Sequence, residues 1–217
     1  MDIRPYQRVV WEIISGIPRG RERWNISTPR LFGKDFLAVK RALQSRRAVI
    51  VVPTAQAVEV AFEQLKKAAA GGFLSSMRRG YGYYAVFGEP DCDSDKPTIV
   101  ITDIQALRGM GKFSFAQDVD FLCFLESMYM DVEPDDALTR DLGHFLAGDA
   151  MIVHMGTVPS RMSEDNLFKQ NARLRGNYLR VVGPLPNRDH AELAMLREQM
   201  TAAMYDADIL GLAFWGL

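Results

Sequence analysis

A chain of 217 residues, 48% hydrophobic and 24% charged, has the size and make-up of one large globular domain or two small ones. Its formal net charge of −1 gives no global pull toward nucleic acid, so a polyanion site must be a local basic patch. Two cysteines, Cys92 and Cys123, argue against a disulfide framework or structural zinc. His144, His154 and His190 lack metal-ligand spacing. No secretory signal or apolar run of membrane-spanning length appears, so a cytosolic setting without a membrane partner is expected.

Taken in order, Asp2-Ile3-Arg4-Pro5-Tyr6-Gln7-Arg8 leads into Val9 to Ile14, whose apolar spacing predicts a helix with Pro5 in its first turn. A Gly/Pro/Arg linker from Gly16 to Arg23 precedes a short strand, a turn at Gly33-Lys34 and a helix from about Lys34 to Ser45. Ala48-Val49-Ile50-Val51-Val52, stopped by Pro53, has the continuous β-branched pattern of a strand buried on both faces of a parallel sheet. Thr54 caps the helix expected next, with Val58, Val60, Ala61 and Leu65 on its apolar side. Strand and helix in alternation predict an α/β sheet with right-handed crossovers.

Beyond it, Ala68 to Tyr81 is rich in small and basic residues and is expected to be a mobile loop. Tyr83 to Phe87 and Thr98 to Thr102 predict two strands, and the acidic stretch Glu89 to Asp95 between them a solvated loop. Phe121 to Leu125 predicts a buried strand that delivers Glu126 at its C-terminal end, where open α/β sheets bind ligands. Cys123 within that run reads as a buried small hydrophobe. Ala150 to Met155 is a further strand, ending in the small-hydroxyl turn Gly156-Thr157-Val158-Pro159-Ser160. Tyr178 to Val182 is the last strand, and a single helix is expected from about Asp189 to Tyr205 with Ala191, Leu193, Leu196 and Met200 on one face. The apolar ending Ile209 to Leu217 is expected to pack on the domain or cover a partner.

Three stretches carry chemistry. Gly33-Lys34 before a helix can aim backbone N–H groups, an ammonium and the helix dipole at a polyphosphate. Against G-x-x-x-x-G-K-[ST], Thr28 stands at the first Gly and Asp35 at the magnesium-binding hydroxyl. Glu126 can orient or deprotonate a water attacking a γ-phosphate; without a phosphate site it reads as a solvated strand-end carboxylate. Gly156-Thr157 can sense that phosphate or be an ordinary turn. Arginine is dense at Arg19, Arg21, Arg23, Arg46-Arg47 and Arg78-Arg79, and such pairs are more often than not solvated surface.

In order, these pieces resemble the ATPase domain of the large terminase subunit, the DNA-packaging motor of tailed bacteriophages. Arg30-Leu31-Phe32-Gly33-Lys34 is similar to its P-loop, and Val51 to Ala57 to the strand-Pro-Thr segment that follows. Leu107-Arg108-Gly109 resembles its Leu-Arg-Gly element, and Asp120 to Glu126 its second carboxylate motif. Gly156-Thr157-Val158-Pro159 resembles its coupling motif, and Glu164 to Phe168 the segment after it. The resemblance implies a three-layer P-loop (RecA/ASCE-like) fold with a mostly parallel sheet. Residues 1–175 would form the ATPase core and 176–217 a small C-terminal lid subdomain, with no nuclease domain. It further implies ATP and Mg²⁺ as cofactors. Double-stranded DNA, a portal ring and the small terminase subunit would be partners. The chain would form a homo-oligomeric ring when assembled and a monomer in isolation, in the host cytoplasm and transiently on the procapsid.

By position, Arg30, Leu31, Phe32, Gly33 and Lys34 would hold the phosphates. Glu126 would be the catalytic glutamate, and Arg108 an arginine acting on a neighbour's nucleotide. Gly156 and Thr157 would couple phosphate release to lid motion, and Tyr6 and Gln7, similar to the adenine-recognising segment of helicase-like ATPases, would face the base. Arg78 and Arg79 are candidate DNA contacts. Two positions depart from the family: Asp35 replaces Ser or Thr, and Leu125 replaces an Asp. Either Asp35 supplies the metal-binding oxygen that Leu125 cannot, or the site is weakened and serves a structural or regulatory role. A helicase-like remodelling ATPase is a further alternative.

Overall fold

A computed structural model describes residues 2–18, 20–68, 75–80, 82–87, 98–107, 117–130, 145–159, 166–169, 177–186 and 188–212. A 3-10 turn (Pro5–Gln7) opens α1 (Arg8–Ser15), followed by β1 (Glu22–Ser27), α2 (Lys34–Ala42), β2 (Arg47–Val52) and α3 (Ala55–Ala68). Then come β3 (Ser75–Gly80), β4 (Gly82–Phe87), β5 (Thr98–Asp103), α4 (Ile104–Leu107) and β6 (Val119–Leu125). A 3-10 turn (Ser127–Tyr129), β7 (Leu146–Gly156), β8 (Asn177–Arg180) and two last helices, α5 (His190–Gln199) and α6 (Ala202–Asp208), complete the order.

The strands form one sheet in the order β3-β4-β5-β2-β6-β7-β1-β8. The six from β5 to β8 are all parallel, and β4 and β3 extend the sheet antiparallel. The fold is therefore α/β with a parallel sheet, as the alternation predicts. Side chains alternate between its faces. Ile26, Ile50, Val52, Phe121, Cys123, Leu125, Val153 and Met155 join a core with Val10, Ile14, Leu37, Val39, Phe62 and Leu65 from α1, α2 and α3. Val49, Val51, Leu122, Phe124 and Ile152 face the other way, onto Leu107, Met130, Phe145 and Leu167. All six residues of β2 are buried, which is why its sequence is apolar without alternation.

The order places β7 between β1 and β6, with Ser27 beside Gly156 and Leu125 beside Met155. The turns leaving β1, β7 and β6 thus share one edge of the sheet. This is the crevice outside the carboxyl ends of parallel strands.

Three expectations change. Ser75–Gly80 is a strand rather than a loop, because pairing with β4 and not its own small and basic sequence fixes its conformation. The last helix is two: Met200 is extended (φ −112°, ψ 152°) and the Thr201 side chain accepts from Met204 N to start α6. The face expected to be buried by α5 is not, since that helix buries none of its residues. In addition, β8 pairs with β1, so the sheet runs past residue 175, and α5 and α6 follow its last strand. Cys92, the acidic stretch 89–95, Arg108, His144, Glu164 and residues 213–217 lie outside the described residues. Among the described residues, no helix is long and apolar enough to cross a membrane.

His154 on β7 is buried and stacked on Phe124 with ring centroids 4.5 Å apart. Burial, helped by the charge of Arg23, pushes its pKa down from 6.5 to about 3. The unfolded chain therefore takes up a proton at a higher pH than the folded one. Stability falls as pH drops from about 6.5 toward 3, by up to roughly 1.4 kcal/mol per pH unit. Urea unfolding of His154→Phe should show a shallower loss than wild type between about pH 7 and pH 5; parallel curves would contradict the assignment.

Candidate active site

After β1 the chain must turn sharply to start α2 over the sheet edge. Leu31 (φ 60°) and Gly33 (φ 87°) both take the left-handed conformation. For Leu31 this costs on the order of 1–2 kcal/mol, and its side chain is left 69% exposed. Gly33 has no alternative: a Cβ there would lie 2.5 Å from Gln7 Nε2. That amide donates to Phe32 O at 2.7 Å, while Gln7 Oε1 accepts from Arg4 N at 3.0 Å. Tyr6 packs edge-on to Phe32 at 5.5 Å. The N-terminal segment thus braces the turn from behind, and Gln7 points inward to the turn's backbone rather than outward toward a base.

Gly33 is the N-cap of α2, so the first N–H groups of the helix, unpaired within it, face the crevice. Lys34 is buried, with a side chain only 9% exposed, and its Nζ lies 2.7 Å from Glu126 Oε1. It also donates to Thr157 Oγ1 at 3.3 Å. The second oxygen of Glu126 accepts from Thr157 N at 3.1 Å. Glu126 itself is left-handed (φ 55°) at the end of β6, pinned by its N–H to Met155 O at 2.6 Å. Gly156 gives it room, because a Cβ there would collide with Met128 Sδ and Glu126 Oε2. Lys34, Glu126, Gly156 and Thr157, expected at one site, are brought together.

Asp35 is half-buried at the second helical position. Desolvation pushes its carboxyl pKa above the ordinary range; Lys34 opposes this and Glu126 adds to it. Its charge also helps burial raise the Cys123 thiol pKa. Cys123 and Leu125 share the sheet face packed by α2. Asp35 belongs to the helix packed on the face where Leu125 offers only methyl groups. Among the described residues no group of three or more His, Cys, Asp or Glu gathers as a ready metal site. Asp35 and Glu126 are the carboxylates nearest Lys34 whose charges act on one another.

Arg30 pairs with the end of α6. Its Nε lies 3.1 Å from Asp208 Oδ2, and its N–H donates to Asp208 O at 2.7 Å. The guanidinium also hydrogen-bonds the Tyr129 hydroxyl. The buried hydroxyls of Thr28 and Ser127, at the ends of β1 and β6, lack a hydrogen-bond partner. Unpaired buried polar groups are uncommon enough to mark a working edge. A cleft of ≈ 570 Å³ between α2 and α3 touches Gly33 and Asp35 and runs to Leu43 and Lys67; Lys34, Glu126 and Thr157 do not line it, so it is a neighbour of the charged site rather than the site itself.

Arg78 and Arg79 lie on β3, at the far edge of the sheet, with five strands between it and β1. They do not join this site. Met128, Tyr129 and Asp208 belong to it without a sequence signal: none sits in a motif, and Asp208 approaches from a helix 178 positions after Arg30. The chain matches no family model and no curated protein.

Gly33→Ala should lower stability by about 1–2 kcal/mol through its backbone conformation alone, and further through contact with Gln7. Adding Gln7→Ala should relieve the second part, so the double mutant loses less than the sum of the singles. Urea midpoints measure this; an unaffected Gly33→Ala would contradict the turn geometry.

Proposed function

We propose that this chain is an ATP hydrolase, the motor domain of a viral DNA-packaging terminase. The observation that carries the hydrolase reading is the 2.7 Å contact between Lys34 Nζ and Glu126 Oε1, from turns after two different strands. A nucleophile-orienting carboxylate and a phosphate-holding ammonium converge at a helix N-terminus, on the ligand-binding edge of a parallel sheet. The packaging role rests on the order of the sequence motifs, and DNA, portal and ring partners rest on it too.

In this reading the triphosphate lies across the N–H groups of α2's first turn. Lys34 exchanges Glu126 for β- and γ-phosphate oxygens, which frees the carboxylate to orient a water. The water oxygen attacks the γ-phosphorus, the bond to the β-phosphate oxygen breaks, and ADP leaves in line. The water's proton passes to Glu126 or to a phosphate oxygen. Thr157, in contact with both Lys34 and Glu126, registers the departure of phosphate. Mg²⁺ would neutralise developing phosphate charge, with Asp35 the residue placed to hold it. The N-terminal arm sets the turn, leaving Tyr6 rather than Gln7 for a base.

A second reading is favoured by Leu125, which offers no oxygen, and by the burial that raises the pKa of the Asp35 carboxyl. It is a weakened site with a structural role in the packaging complex.

Turnover separates them. Glu126→Gln should lower ATP hydrolysis by about 10²–10⁴-fold while ATP still binds, and Lys34→Ala should lose both. Asp35→Ala should raise the Mg²⁺ concentration needed for half-maximal activity. Wild type without turnover, with or without DNA and portal, would favour the structural role. An unchanged Mg²⁺ requirement in Asp35→Ala would end the carboxylate exchange.

A further inference from the structure

The cleft between α2 and α3 has no part in the hydrolase reading, yet it has the make-up of a binding site. Its volume of ≈ 570 Å³ lies within the range of cavities that take small organic ligands. Residues three and four apart share one face of a helix. Phe36, Val39 and Leu43 thus line the cleft as one stripe from α2 and the turn after it, and Gln64, Lys67 and Ala68 as another from α3. Val39 is buried, whereas Phe36 and Leu43 are only partly buried although both pack on the core. The floor is apolar, and along α2 it runs roughly 15 Å at 1.5 Å per residue.

The polar groups at its rim are uncommitted, and their charge has a sign. Lys66 lies 2.8 Å from Glu63 and 5.0 Å from the centre of the Phe62 ring. Lys67 beside it is exposed and makes no ion pair or hydrogen bond among the described residues. The side-chain amides of Gln44 and Gln64, which also line the cleft, bond to no described residue either. On the α2 wall the Lys40 ammonium lies over Trp11 and Phe36, 5.6 and 5.7 Å from their ring centres, and adds a second positive charge. The acid on the lining is Asp35, on which the Lys34 charge already acts. The cleft therefore favours an anion, and favours it at the Lys67 end.

We propose that the cleft between α2 and α3 binds a small organic anion, an apolar body carrying one carboxylate or sulfonate. The body lies on Phe36, Val39 and Leu43, and the acid group meets Lys67 with the amides of Gln44 and Gln64 as donors. Burial of the apolar body supplies most of the affinity, and the exposed ion pair supplies the choice of charge and the direction in which the ligand lies. Its far end reaches Gly33, so the site abuts the turn before α2 without including Lys34 or Glu126. This goes beyond the nucleotide reading and does not depend on it.

The test is calorimetric titration of dodecanoate into the full chain without nucleotide, with dodecyltrimethylammonium as the cation of matching apolar body. Wild type should bind dodecanoate saturably at a single site and the cation about fivefold more weakly. Lys67→Glu should weaken dodecanoate by about two- to fivefold, the scale of an exposed ion pair, and narrow the gap between the two probes. Ala68→Trp, a change at an exposed position, fills the mouth of the cleft and should abolish binding of both, with circular dichroism showing that each variant is folded. Three results overturn the inference: no saturable dodecanoate binding by wild type below about 1 mM, equal affinity for the two probes, or dodecanoate binding undiminished in Ala68→Trp. Each leaves the nucleotide reading standing, because ATP turnover is measured without either probe.

Discussion

Everything at this site depends on one buried ammonium. Lys34 is taken almost wholly out of water, which is costly for a charge unless partners meet it. Glu126 and Thr157 do so at 2.7 and 3.3 Å. The three residues follow β1, β6 and β7, far apart in sequence and adjacent in space only because β7 lies between the other two. The strand order is thus what makes the contact possible. Two of the three non-glycine residues with positive φ among the described residues, Leu31 and Glu126, sit on the turns that frame it. Strain that persists at such a place is paired with pre-organisation of the groups it aims.

The turn between β1 and α2 is held from two sides. Behind it, the Gln7 amide bonds Phe32 O and fills the space that a Cβ on Gly33 would need. Outside it, Asp208 meets both the backbone and the guanidinium of Arg30. The segments that grip the turn come from either end of the described chain.

Much of the sheet is legible in sequence because burial on both faces leaves its mark on composition. The run Ala48 to Val52 has no polar position to hide, and β2 is buried throughout. The site residues Lys34, Glu126, Gly156 and Thr157 are legible for a related reason: each follows a predicted strand, and parallel strands end on one edge. What is not legible is set by partners distant in sequence. Ser75–Gly80 becomes a strand through β4. The helix expected from Asp189 breaks at Met200 because Thr201 can cap a second one, and the 3.6-residue spacing of Ala191, Leu193 and Leu196 does not say whether anything covers them. Gln7 reads equally well as a base-facing amide or a brace, since its identity fixes its hydrogen-bonding capacity but not its direction. Asp208 has no neighbouring pattern at all; only the fold brings it to Arg30.

The most direct test is a structure determined with a non-hydrolysable ATP analogue and Mg²⁺. The account predicts that Lys34 Nζ leaves Glu126 for the β- and γ-phosphate oxygens, with the phosphates against the first turn of α2. A triphosphate bound elsewhere, or Lys34 still paired with Glu126 beside a bound triphosphate, would contradict it.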